Sequence, residues 1–150
     1  MIDRFERFTF SVFEISKHWH KIAATEMEKY GLKGPHAIYL VSMYRYPEGI
    51  TSAQLCELSG KDKADVSRAI TLMEKNGLVT REGVNQNLYR ALLKLTETGK
   101  QAAEQIRERA SIAVEMAGSG LTGENRKNFY ESLEYITARL QEISEAGLPQ

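Results

Sequence analysis

Lys61, Lys63, Ser67, Arg68 and Thr71 crowd into one short stretch, KDKADVSRAIT, of a 150-residue chain. Cationic and hydroxyl side chains at this density donate hydrogen bonds to anionic oxygens and to the edges of bases. At about 3.6 residues per turn, residues 63, 67, 68 and 71 fall on one side of a helix. Val66, Ala69, Ile70 and Met73 fall on the other and form its inner face. Arg68 can reach a guanine edge or a phosphate. Asp65 adds a carboxylate to the same stretch, where it either accepts a hydrogen bond from cytosine or orients Lys61 or Arg68. Just upstream lies Ser52. Downstream, Arg81 borders, and Asn87 and Arg90 lie within, the segment EGVNQNLYRA, in which Gly83, Asn85, Gln86 and Asn87 suit a tight turn.

Other reactive groups are sparse. His18 and His20 flank Trp19, but helical positions two apart point about 200° away from each other, so the two imidazoles cannot share an ion. His36 is the remaining histidine and Cys56 the single thiol, so no metal site and no cofactor is expected. Cys56 reads as a packed hydrophobe in a small buried slot between Leu55 and Leu58, with nothing visible to lower its pKa, and a redox role stays open. Trp19, His36, Tyr39 and Tyr44 could line a cleft between the first two helices. Aromatic walls and a histidine would suit a planar acid, and the same four residues read equally well as core packing. No G-x-S-x-G, H-E-x-x-H or glycine-rich phosphate loop is present, so no catalytic residues are assigned and no enzyme is expected.

Helices and one hairpin must position these groups. Phe5, Phe8, Val12, Ile15, Trp19 and Ile22 recur every three or four residues, which predicts a long helix over residues 3–30 ended by Gly31. Phe10 and Phe13 lie off that stripe, so the helix needs neighbours on two sides. A second helix covers residues 35–46, with Pro35 in its first turn. Thr51 and Gln54 form a capping box for a short third helix that Gly60 ends. Asp62 caps a fourth helix, stopped by Gly77. LVTRE and YRALLKL read as paired strands. Thr96 opens a fifth helix with Ala102, Ala103, Ile106, Ala110, Ala113 and Met116 on its inner side. Thr122 opens a sixth, with Phe129, Leu133, Ile136, Leu140 and Ile143 at heptad-like spacing. The two terminal seams have no obvious partner inside one chain, and a dimer would cover both.

Charge is balanced at 20 Lys/Arg against 20 Asp/Glu. Its distribution is not: residues 51–96 carry seven basic against five acidic residues, and residues 97–150 six against nine. The opening MIDRFERFTF has four charges in its first seven residues and no apolar signal-peptide core. The uncharged run PHAIYLVSMY is ten residues, too short to span a bilayer. No membrane association and a cytoplasmic location are expected.

A short capped helix, a glycine turn and a second capped helix make a helix-turn-helix, and the hairpin that follows makes it winged. At this point the chain resembles the MarR (multiple antibiotic resistance regulator) family of winged helix-turn-helix regulators. The resemblance rests on QLCELSGKDKADVSRAITLMEKNGLVTR followed by LLKLTETGK, and the order of elements extends it over nearly the whole chain. It implies a mainly α (α+β) fold with long N- and C-terminal dimerisation helices. Residues 1–150 would be a single domain, with residues 35–96 as the DNA-binding part and residues 1–30 and 97–147 as dimerisation helices. It also implies a homodimeric repressor that binds double-stranded DNA at a near-palindromic operator and is released by a small aromatic or phenolic effector. Lys63, Ser67, Arg68 and Thr71 would face the major groove, and Ser52 and Lys61 the phosphates. Arg81, Asn87 and Arg90 would belong to the wing. Family wings carry an Asp and an Arg near the tip, where this chain has Asn85, Gln86 and Asn87, with Arg90 further along. The neutral net charge, Asp65 and that uncharged tip support an alternative: a winged-helix module that binds protein or ligand without DNA.

Overall fold

The computed structural model describes residues 3–84 and 87–150, the side chains of residue 84 and of residues 87–89 excepted. Helix α1 spans Arg4–Met27 and begins where the Asp3 carboxylate accepts from the Glu6 N–H at 3.0 Å. Its last turn tightens into a 3₁₀ turn, Glu28–Tyr30, and stops at Gly31 with φ 68°. A second 3₁₀ turn, Gly34–His36, leads into α2, Ala37–Tyr44. Helices α3 (Ser52–Ser59) and α4 (Lys63–Lys75) follow. Strands β1 (Val79–Val84) and β2 (Asn87–Leu95) pair antiparallel, and helices α5 (Glu97–Ala117) and α6 (Gly123–Ala146) complete the chain. The order matches the expectation of four helices, a hairpin and two helices.

The chain forms two compact units, Met1–Ala110 and Ser111–Gln150. The core of the first gathers Tyr39, Leu40 and Met43 of α2, Leu55 of α3, and Val66 and Ile70 of α4, all essentially inaccessible. Each such side chain contributes about 1.5–3 kcal/mol by leaving water. Ala102, Ala103 and Ile106 of α5 join them. Ala110 and Ala113 of the expected α5 stripe are only half-buried, and Met116 at its far end is exposed.

The hairpin is longer than the sequence pattern suggests. Val79 faces Leu95 and Arg81 faces Leu93, and the register shifts between Glu82 and Val84. A further bridge joins Ile50 to Leu93 through paired backbone hydrogen bonds of 3.1 and 2.8 Å. The segment before α3 thus adds a one-residue rung to the sheet.

The apolar stripe of α1 is uncovered within the chain. Phe5, Phe8, Val12, Ile15, Trp19 and Ile22 are all exposed, as are Phe10 and Phe13, and Met27 is the one residue of the helix that is fully buried. In the second unit, α6 starts at Thr122, whose hydroxyl accepts from the Asn125 N–H at 3.2 Å. Its stripe of Phe129, Leu133, Ile136, Leu140 and Ile143 is exposed as well. Among the described residues no helix is long and apolar enough to cross a membrane.

Candidate nucleic-acid interface

Three local devices set the turn between α3 and α4. Thr51 and Gln54 cap each other's backbone N–H at 3.2 and 3.0 Å, fixing the start of α3. Gly60 takes the left-handed conformation, φ 65°, with nothing near its missing side chain, so its backbone angle and not crowding calls for glycine. The Asp62 carboxylate then accepts from the Asp65 N–H at 2.7 Å and starts α4. Every group in this turn was legible, because caps act over three or four residues.

Helix α4 has two sides of opposite character. Val66, Ala69, Ile70 and Met73 are buried, whereas Lys63, Ser67, Arg68 and Thr71 are exposed together on the other side. Lys61 is exposed just before the helix, and Ser52 is half-buried in the first turn of α3. Ser52 and Lys63 thus stand in the first turns of α3 and α4, Lys61 just before α4, and Ser67, Arg68 and Thr71 further along its exposed side.

The wing is less uniform. Arg90 is exposed on β2, but the Arg81 guanidinium is paired with Glu74 of α4 at 3.1 Å. Lys94 of β2 likewise pairs with Glu82 of β1 at 3.0 Å. Asn85, Gln86 and the side chain of Asn87 lie outside the described residues.

Asp65 has a partner in the core that its local sequence does not indicate. The fully buried Tyr39 of α2 donates its hydroxyl to an Asp65 carboxylate oxygen. This hydrogen bond holds the Asp65 carboxyl below the usual carboxylate range against partial burial, with help from the charge of Arg68, His36 and Lys61. Burial, together with the neighbouring carboxylate, pushes the Tyr39 phenol well up. No sequence spacing pairs residues 39 and 65; only the packing of α2 on α4 does. At the other end of α4, Asn76 donates its side-chain amide to the Tyr30 carbonyl at 3.0 Å, another contact beyond the reach of local pattern.

The four aromatic and histidine candidates have different surroundings. His36 is buried and stacks on Tyr39 with ring centres 6.0 Å apart, and its Nδ1 accepts from the Lys33 N–H at 3.2 Å. Burial lowers its pKa, opposed by Asp65 and assisted by Lys33. Tyr44 instead meets α5, donating to Glu104 at 3.0 Å beneath the Arg107 guanidinium, which sits 4.9 Å from its ring centre. Trp19 is on the exposed side of α1. Tyr44 borders a cavity of about 540 Å³ with Met43, Pro47, Lys94, Lys100 and Glu104. Cys56 is a correction: it is half-buried against the core and not enclosed, because Leu55 takes the buried position and Leu58 points to solvent. Among the described residues no group of three His, Cys, Asp or Glu could hold a metal ion.

This geometry has counterparts. A sequence profile of the MarR family matches residues 30–86. The chain is 27% identical over 127 residues to the uncharacterized HTH-type transcriptional regulator YybA of Bacillus subtilis (strain 168), covering 85% of this chain and 84% of that one. Its fold is similar to that of a MarR transcriptional regulator from Methanosarcina mazei Go1, with a TM-score of 0.83 at 23% identity over 94% of this chain and 93% of the other. A MarR family transcriptional regulator from Listeria monocytogenes, solved in complex with 26mer DNA, has a TM-score of 0.79 at 23% identity over 95% and 96% of the two chains. The profile covers the helix-turn-helix and the first strand of the wing, and the fold carries the likeness over the terminal helices. Residues 30–86 thus match the MarR family, and the chain as a whole shares the winged helix-turn-helix fold of these solved regulators.

Proposed function

We propose that the protein is a dimeric DNA-binding transcriptional regulator, a repressor released by a small molecule. The observation that carries this reading is the exposed polar side of α4, with Lys63, Ser67, Arg68 and Thr71 together behind a capped first turn. A helix of this kind enters the major groove by its N-terminal turns. In that pose Ser52 and Lys61 sit beside phosphates, and Arg81, Asn87 and Arg90 belong to the wing. Arg90 is the freer cation of the two arginines, since Arg81 already has Glu74.

Two uncovered apolar seams support a homodimer, because exposed stripes of this length mark association surfaces. Residues 1–30 and 97–147 then serve dimerisation and residues 35–96 serve DNA binding. Twofold symmetry makes the operator near-palindromic. The effector is a small aromatic or phenolic acid. The cavity beside Tyr44 offers an aromatic wall, with Lys100 and Glu104 also lining it. A protein that reads the genome works in the cytoplasm, and no reaction is assigned to it.

A gel shift on the DNA flanking its own gene, paired with sedimentation, tests the reading. A salt-sensitive shift by a dimer is expected. An intact dimer that gives no shift at low salt would favour the rival module that binds protein or ligand without DNA.

A further inference from the structure

The Tyr39–Asp65 hydrogen bond joins the floor of the core to the first turn of α4. Tyr39 has no accessible surface, so its phenol is fixed in place by α2. Asp65 is in the first turn of α4, between the groove-facing Lys63 and Ser67, and its backbone N–H is already bound to Asp62. The far end of the same helix is held separately by Asn76 on the Tyr30 carbonyl. The turn that carries the DNA-facing side chains is therefore held by the cap, by the buried Val66 and by this hydrogen bond to α2. A carboxylate released from the phenol would stand among the groups meant to meet phosphate, and like charges there repel.

We propose that Tyr39 is a positioning residue for DNA recognition: its phenol turns the Asp65 carboxylate inward and fixes the first turn of α4, so that Asp65 neither reads a base nor faces the backbone. This rests on the DNA-binding reading above and adds a residue that touches no DNA. The sequence alone offered Asp65 as an acceptor for cytosine; its Oδ1 is instead occupied by a hydroxyl from the core.

The test uses the full-length protein, a duplex it selects from genomic fragments, and an unrelated duplex of equal length. Tyr39→Phe should weaken binding to the selected duplex about tenfold, the scale of one lost hydrogen bond to a charged group. The loss on the unrelated duplex should be smaller. In an Asp65→Asn background, where no carboxylate is released, the same change should cost only about twofold. Asp65→Asn alone should leave base preference unchanged at every operator position. Asp65→Glu keeps the charge but displaces the carboxylate from the phenol, and should reproduce the Tyr39→Phe loss. That variant carries the test if Tyr39→Phe does not fold.

A folded Tyr39→Phe protein that binds like wild type would overturn the inference. So would an equal cost in both backgrounds, which makes Tyr39 a packing residue, or a changed base preference in Asp65→Asn, which makes Asp65 a reader. If wild-type protein selects no DNA, the DNA-binding reading fails and this inference with it. If wild type binds and the variants bind equally well, the inference fails alone.

Discussion

A side chain on Gly99 would collide with Leu78: a β-carbon built there stands 2.0 Å from the Leu78 carbonyl oxygen. The start of α5 thus lies directly on the backbone that leads into β1. Thr96 completes the joint. Its hydroxyl donates to the Gly77 carbonyl at 2.6 Å and accepts from the Gly99 N–H at 3.0 Å, while its own N–H reaches the Leu78 carbonyl at 2.9 Å. The LTETG stretch is therefore a clasp between the end of the wing and the exit of α4. Gly99→Ala should destabilise the fold by about 3 kcal/mol, since backbone and not a flexible side chain must yield. Urea unfolding measures this, and an unchanged midpoint would refute the contact.

Arg68 is exposed on the outer side of α4. If its guanidinium reads a guanine edge, Arg68→Ala should cost about 1–3 kcal/mol in operator affinity and relax the preference at one base pair. Lys61→Gln should act differently, weakening binding to all sequences alike and lowering the slope of log affinity against log salt by about one. Fluorescence anisotropy across a salt series separates the two. Wild-type operator affinity in Arg68→Ala at equal salt would show that α4 is oriented otherwise.

Glu74 restrains a wing cation. Its ion pair with Arg81 is partly exposed, so breaking it should change stability by no more than about 1 kcal/mol. Its effect on DNA should be larger in proportion. Glu74→Gln removes a negative charge near the wing and frees Arg81, so affinity for unrelated duplex should rise and its salt dependence steepen. A titration with random-sequence DNA that shows no gain would place Arg81 away from the backbone.

Acid should weaken the fold in two stages. Burial holds His36 below its ordinary 6.5, so the neutral ring is favoured in the folded protein. Its contribution is complete above 6.5 and is lost as pH falls through the lowered folded value. Asp65 is depressed below 3.8, chiefly by the Tyr39 phenol, so its contribution is complete above 3.8 and disappears at still lower pH. Urea midpoints collected against pH should show both arms. His36→Gln should remove the first and Asp65→Asn the second; an unaltered profile in either variant would contradict the corresponding assignment.

Sedimentation should give twice the chain mass of 17.0 kDa. Leu140 is about half exposed on α6, so Leu140→Glu should leave the helix content of one chain intact while shifting the protein toward monomer. Operator binding should fall with it, because two half-sites then no longer bind as one. A Leu140→Glu protein that remains fully dimeric would remove α6 from the interface.

What could be read from the sequence follows the range of the forces involved. Thr51, Asp62, Thr96 and Thr122 all cap the helices they were expected to cap, because each acts on a backbone N–H three residues away. The two sides of α4 were legible for a similar reason, since periodicity reports burial. Contacts such as Tyr39–Asp65, Asn76–Tyr30 and Ile50–Leu93 join segments 26 to 46 residues apart and leave no local mark. Trp19, His36, Tyr39 and Tyr44 were grouped by chemical type, whereas helix packing distributes them among solvent, core and α5.

The Ile50–Leu93 rung has a mechanical meaning. Ile50 immediately precedes the Thr51 cap of α3, and Leu93 lies midway along the base of the wing. A push on the root of β2 is therefore transmitted to the start of α3 within a single residue, with no slack loop to absorb it. Helix-turn-helix and wing root are thus tied directly to each other by backbone hydrogen bonds. On the DNA-binding reading, a shift of the wing root should carry the start of α3 with it.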